Sequence, residues 1–186
     1  MARSRLLVSF GTKLEMDLLA ADEAPPEAQA LVVPQDVNFI MGELDAVVES
    51  RESAESVLAS IEASRPRRLG TLVPAAGRSG APLLLQAVVY DFDRTPPATE
   101  GHVFETLLLA FEEAKGRSFS CLAVRPLGTA YGGLAPLAFL RLLVQVCYSS
   151  AELGTSVKRV YLMLHSPDEM GRYEGLLQQI LKRPPA

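Results

Sequence analysis

Apolar residues in this chain gather into short runs, and helically spaced stretches separate many of them. Arg5–Phe10 and Ala30–Val33 read as strands, the second ending at Pro34, and Leu69–Val73 reads as another. Leu83–Phe92 is a continuous apolar run with β-branched Val88 and Val89, which marks a central strand. Ser118–Val124 and Val157–Leu164 follow the same pattern. Helical spacing appears over Ser53–Ser64, where Val57, Leu58 and Ile61 share a face and Pro66 ends the segment. It returns over His102–Lys115, with Gly116 as a stop, over Ala135–Ser149 and over Pro167–Lys182. Ala21–Gln29, Gln35–Asn38, Ala75–Pro82 and Arg94–Gly101 read as loops, and Leu44–Val48 opens a helix or a turn.

Strands that are apolar on both sides and alternate with helices predict an α/β fold, a mixed central sheet with helices on both faces. No repeat or linker divides residues 1–186, so one domain is expected. Leu83–Tyr90, Ser118–Val124 and Val157–Leu164 are expected as neighbouring buried strands. Ligands in such sheets bind outside the carboxyl ends of the strands, which makes the loops at Pro34, Asp91, Pro126 and His165 the candidate wall of a site.

Composition narrows the partners. The chain is 48% hydrophobic and 22% charged, enough apolar material for a core. A net charge of −4 argues against general nucleic-acid binding. No apolar stretch reaches the ~18 residues of a membrane span, and Leu6–Val8 is too short for the core of a signal peptide. The two cysteines, Cys121 and Cys147, lie in apolar segments and are expected as buried free thiols of a reducing cytoplasm. No zinc spacing is present, and no cofactor or metal is expected.

Candidate chemistry centres on Pro126-Leu127-Gly128-Thr129-Ala130-Tyr131-Gly132-Gly133-Leu134, between a strand and a helix. That layout turns backbone N–H groups toward a phosphate at a helix N-terminus. It is neither a P-loop nor the Gly-x-Gly-x-x-Gly fingerprint. The plain alternative is a strand-to-helix turn whose glycines serve packing. Tyr131 either covers a ribose or phosphate or packs on the following helix. Leu137, Leu140, Leu143 and Val144 are spaced as core. Asp91 and Asp93 flank Phe92 as a carboxylate pair, read as a solvated strand end with Arg94 nearby. His165 borders the expected cleft, where a general base is conceivable, although a polar strand terminus is the simpler reading. Ser120 and Cys121 have no His–acid partner nearby in sequence.

The order of these elements and their wording resemble the macro domain, the ADP-ribose-binding fold. Ser120–Gly133 looks like the family's strand and phosphate loop, Gln86–Asp91 like its central strand, and Val160–Glu169 with Tyr173 like its last strand and helix. The family's first ligand loop is matched by Asn38, Gly42 and Asp45, while Pro34 stands at the first asparagine and Glu43 at a small residue. Where the family carries an adenine-holding acid, this chain has Phe10-Gly11-Thr12-Lys13, with Asp17 as the substitute.

The resemblance implies a module that binds ADP-ribose, or an ADP-ribosylated protein, through Asn38, Gly42, Gly128, Thr129, Ala130, Tyr131, Gly132, Gly133 and His165. A missing acid and a bulky acidic Glu43 imply weak binding, since a charge-assisted hydrogen bond contributes about 1.5–3 kcal/mol. Two alternatives stay open. One is a protein-interaction module without nucleotide. The other is an ADP-ribosyl hydrolase in which Asp45 positions or activates a water.

Overall fold

The computed structural model describes residues 7–11, 13–20, 24–41, 66–75, 82–131 and 133–182. Its strands are β1 (Val8–Phe10), β2 (Leu14–Ala20), β3 (Ala30–Asp36), β4 (Leu72–Ala75), β5 (Leu83–Tyr90), β6 (Cys121–Val124) and β7 (Arg159–Leu164). Its helices are α1 (Glu100–Gly116), α2 (Pro136–Leu153) and α3 (Pro167–Lys182). All seven strands form one mixed sheet in the order β1-β2-β7-β6-β3-β5-β4. β2, β7, β6, β3 and β5 run parallel, and β1 and β4 close the two edges antiparallel.

Successive side chains on a strand point to opposite faces, and the core divides along that rule. Met16, Val32, Leu85, Leu122, Val160 and Leu162 share one cluster with Leu107 and Phe111 of α1, Phe139 and Leu143 of α2, and Leu177 of α3. α1 packs on α2, and α2 on α3. The residues between them on the strands, Leu31, Cys121, Ala123, Tyr161 and Met163, form a second cluster on the other face with Ala24 and Ala28. The helix expected over Ser53–Ser64 lies outside the described residues, as do Leu44–Val48 and most of Ala75–Pro82. No helix among the described residues is long and apolar enough to cross a membrane. Both cysteines are free and buried. Burial pushes the Cys121 thiol up to about 11, with the Glu27 carboxylate adding to the shift, and burial pushes Cys147 up as well.

Several expectations need correction. β2 was not anticipated, although Leu14, Met16 and Leu18 alternate with Glu15 and Asp17 and are fully or nearly fully buried. The strands β5 and β6 are not neighbours, because β3 lies between them. Nor does β3 end at Pro34, since it runs on to Asp36. Val32 accepts the Arg125 N–H on the β6 side. By the same alternation Pro34 turns its backbone to that side too, beyond the last β6 pairing at Val32–Val124. The missing N–H of Pro34 therefore breaks no ladder. α1 does stop at Gly116 as expected, and the left-handed residue beyond it is Ser118 (φ 58°).

Two glycines of α3 have a simple energetic meaning. A Cβ at Gly171 or Gly175 would meet nothing within 4 Å. Glycine in a helix interior is about 0.8–1 kcal/mol less favourable than alanine. Gly175→Ala is expected to stabilise the protein by about that amount, read as a higher urea midpoint at unchanged slope.

Candidate functional site

The glycine loop is built from its two ends inward. Arg125 N–H donates to Val32 O at 2.9 Å where β6 ends, and buried Leu127 and Leu134 anchor the loop on either side. Gly128 is left-handed (φ 71°), and a Cβ there would stand 2.6 Å from Leu134 Cδ1 and 2.9 Å from Val103 Cγ2. A Cβ at Gly133 would run into the Gly128 carbonyl oxygen. Inside the loop, Leu134 N–H donates to Gly128 O at 2.6 Å and Gly133 N–H to Ala130 O at 3.0 Å. These two glycines therefore serve close packing.

The outer half of the loop is held from two sides. Ala130 N–H donates to the hydroxyl of buried Tyr90 at 2.9 Å. Thr129 hydrogen-bonds the Tyr173 hydroxyl, and burial pushes that phenol up to about 12 while the hydrogen bond pulls the other way. Burial likewise raises Tyr90, with the Ala130 amide acting in opposition. The amides of Ala130, Gly133 and Leu134 are thus engaged. Among the described residues none accepts a hydrogen bond from the amides of Thr129 or Tyr131. Below the loop, α2 starts at Pro136 with Ala135 as a cap that has no side-chain hydrogen bond. The first turn of α2 carries no acidic residue to meet the positive end of the helix dipole.

The neighbouring wall follows β3. Asp36 is buried, and its carboxylate accepts the N–H of Asn38 at 2.8 Å and of Met41 at 2.9 Å. This cap fixes the turn that carries Asn38. Gly42 and Asp45 lie outside the described residues, as does Gly132. His165 is exposed at the end of β7, and its N–H donates to Glu169 Oε2 at 2.8 Å. Asp91 pairs with Arg94 at 2.7 Å and accepts the Asp93 N–H at 3.2 Å, which is a capped turn. Among the described residues no group of three His, Cys, Asp or Glu is placed to hold a metal ion.

Beyond β3, an open cavity of about 470 Å³ lies between Asn38, Arg67, Asp91, Arg94, His102 and Glu105. An aromatic cluster joins the end of β5 to the glycine loop. Tyr90 stacks on Phe92 at 5.6 Å, and Tyr131 meets Phe92 edge-on at 5.5 Å and Tyr90 at 5.7 Å. Tyr131 thus packs on β5-end aromatics rather than on α2, the helix that follows it. Tyr90, Phe92 and Tyr173 owe their roles to Ala130, Tyr131 and Thr129, partners distant along the chain, whereas Asp36 acts on amides only two and five residues further on.

The adenine-acid expectation is also corrected. Phe10, Gly11 and Lys13 lie at the β1–β2 hairpin, at the amino end of β2 and opposite the glycine loop. Asp17 is 2% exposed inside β2, with Oδ2 4.0 Å from Arg159 Nε. Neither can reach the cleft. The carboxyl end of β2 leads instead into Ala21-Asp22-Glu23, which lies outside the described residues. Recognising the Leu14-Met16-Leu18 alternation would have pointed there.

No protein-family model matches the sequence, and no curated protein does. Solved structures do match. The Oceanobacillus iheyensis macrodomain with ADP shares 12% identity over 97% of this chain and 98% of that chain, with a TM-score of 0.73. The macro domain of ganglioside induced differentiation associated protein 2 shares 16% over 89% and 82%, with a TM-score of 0.62. The Trypanosoma brucei macrodomain in complex with ADP-ribose shares 15% over 86% and 68%, with a TM-score of 0.61. The chain has the macro-domain fold.

Proposed function

We propose that this protein binds ADP-ribose or a related nucleotide diphosphate, free or carried on a protein, with the diphosphate on residues 128–133. The observation that carries this reading is the loop itself. Its base is locked by Gly128, Gly133, Tyr90 and Tyr173, while the Thr129 and Tyr131 amides have no protein acceptor among the described residues. A rigid loop whose Thr129 and Tyr131 amides find no acceptor among the described residues, beside a helix start whose cap residue makes no side-chain hydrogen bond, suits an anion. Structures of the same fold contain ADP and ADP-ribose, which supports the choice of ligand. Asn38, Gly42 and His165 would border the ligand.

A protein-interaction module without nucleotide draws support from the same loop, since the amides of Ala130, Gly133 and Leu134 are already engaged. Hydrolysis rests on Asp45 and gains no support from the described residues.

Calorimetric titration with ADP-ribose separates these readings. Binding is expected, and Gly132→Glu should weaken it at least about tenfold by setting a like charge beside the diphosphate. A thermal melt of the variant checks its folding. A wild type that takes up no heat from ADP-ribose would leave the interaction-module reading in its place.

A further inference from the structure

We propose that Arg67 and Arg68 recognise an acidic residue on the protein segment that carries the nucleotide, an inference that rests on the nucleotide-binding reading above. The sheet gives that segment a place. Its strands run in the order β2-β7-β6-β3-β5, and β6 feeds the glycine loop. With the diphosphate on residues 128–133 and the adenine toward the carboxyl end of β2, the other end of the ligand points across β3 toward β5. Asn38 stands at the end of β3, and the open cavity of about 470 Å³ lies directly beside it. A protein joined to that end of the ligand meets this cavity, whose wall includes Arg67 and Arg68.

The fold pins the two arginines there. Arg67 N–H donates to Val37 O at 2.7 Å, and its guanidinium lies over the Phe39 ring, 6.0 Å from the centroid. These two contacts flank Asn38. Thr71 Oγ1 donates to Arg68 O at 2.7 Å, and Gly70 N–H donates to Val88 O at 2.9 Å. The segment therefore stands against both β3 and β5.

The other charges on the wall are differently placed. Arg94 is paired with Asp91 at 2.7 Å, and His102 Nδ1 shares a hydrogen bond with Thr99 Oγ1 at 2.9 Å. The Glu105 carboxylate lies against Gly70, and Asp93 is exposed in the turn beyond β5. Arg67 and Arg68 are exposed, and among the described residues their guanidinium groups have no carboxylate partner. A guanidinium takes a carboxylate through two parallel N–H groups. Asp93 and Glu105 repel an anion elsewhere on the wall, which confines it to the arginine side. The partner chemistry is thus a glutamate or aspartate next to the modified residue.

The test uses free ADP-ribose and two peptides that carry it on a serine through the ribose remote from adenine, one flanked by glutamates and one by glutamines. In calorimetric titration at about 0.05 M salt, the wild type is expected to bind the glutamate peptide about fivefold more tightly than the glutamine peptide, the scale of two exposed ion pairs. Raising the salt to about 0.5 M should shrink that preference below about twofold. The double variant Arg67→Ala/Arg68→Ala should lose the preference, and Arg67→Lys/Arg68→Lys, which keeps the charge, should retain part of it. Free ADP-ribose should bind all three proteins within about twofold, because the arginines meet the carrier and not the nucleotide. If the wild type binds free ADP-ribose but does not distinguish the peptides, the acidic carrier is wrong and the nucleotide reading survives. A double alanine variant that keeps the preference, or that loses free ADP-ribose as well, overturns the assignment in the same way. If neither ADP-ribose nor either peptide binds the wild type, both readings fall.

Discussion

Gly133→Ala is expected to be strongly damaging, lowering stability by about 2–6 kcal/mol. The added Cβ would run into the Gly128 carbonyl oxygen and stand 3.2 Å from the Ala130 carbonyl oxygen. Those two oxygens accept the N–H groups of Leu134 and Gly133. Relief of the clash therefore means opening the hydrogen bonds that close the loop. Overpacking typically costs about 1–3 kcal/mol, and each hydrogen bond lost adds about 0.5–1.5 kcal/mol. Urea unfolding of the variant beside wild type measures the sum. Gly175→Ala, with the same added group in open space, is the control and should shift in the opposite direction. A loss below about 1 kcal/mol at Gly133 would mean that the loop yields easily and is a poor rigid platform for a ligand.

Asp36→Ala is expected to cost about 3 kcal/mol. The carboxylate is 1% exposed and accepts two backbone N–H groups, from Asn38 and Met41. Hydrogen bonds to charged groups contribute about 1.5–3 kcal/mol each, and water entering the vacated space recovers part of the loss. Asp36→Asn keeps one acceptor oxygen and should lose about half as much. The same change loosens the turn that carries Asn38, so ADP-ribose affinity should fall along with stability. Chemical denaturation of the three proteins gives the order wild type, Asn, Ala. Equal stability of Asn and Ala variants would mean that the carboxylate does not act as an acceptor for both amides.

The parts of the fold that were legible in the sequence are those whose signal is local. α3 matches the expected Pro167–Lys182 span, and β5, β6 and β7 fall within their apolar runs. The macro-domain resemblance was carried by this second half, where strand, glycine loop and helix follow one another without interruption. β2 is absent from the sequence reading because its signal is the alternation of Leu14, Met16 and Leu18 with Glu15 and Asp17 rather than a continuous apolar run like those of β5 and β7. That omission moved the expected adenine acid to the wrong end of the sheet, since a hairpin at the amino end of β2 cannot approach loops at the carboxyl ends.

The sequence by itself determined an α/β chain of alternating strands and helices, two buried thiols, and a glycine loop between β6 and α2. Periodicity and chain-neighbour chemistry are enough for these, because each depends on residues a few positions apart. Only the tertiary structure decided that β3 enters between β5 and β6, that Tyr90 reaches 40 residues along the chain to hold Ala130, and that Gly128 and Gly133 are required by packing. It also decided that Phe92 and Tyr131 meet at a right angle. Those facts depend on which strand lies beside which, and strand order follows from burial and pairing across the whole chain rather than from any local window.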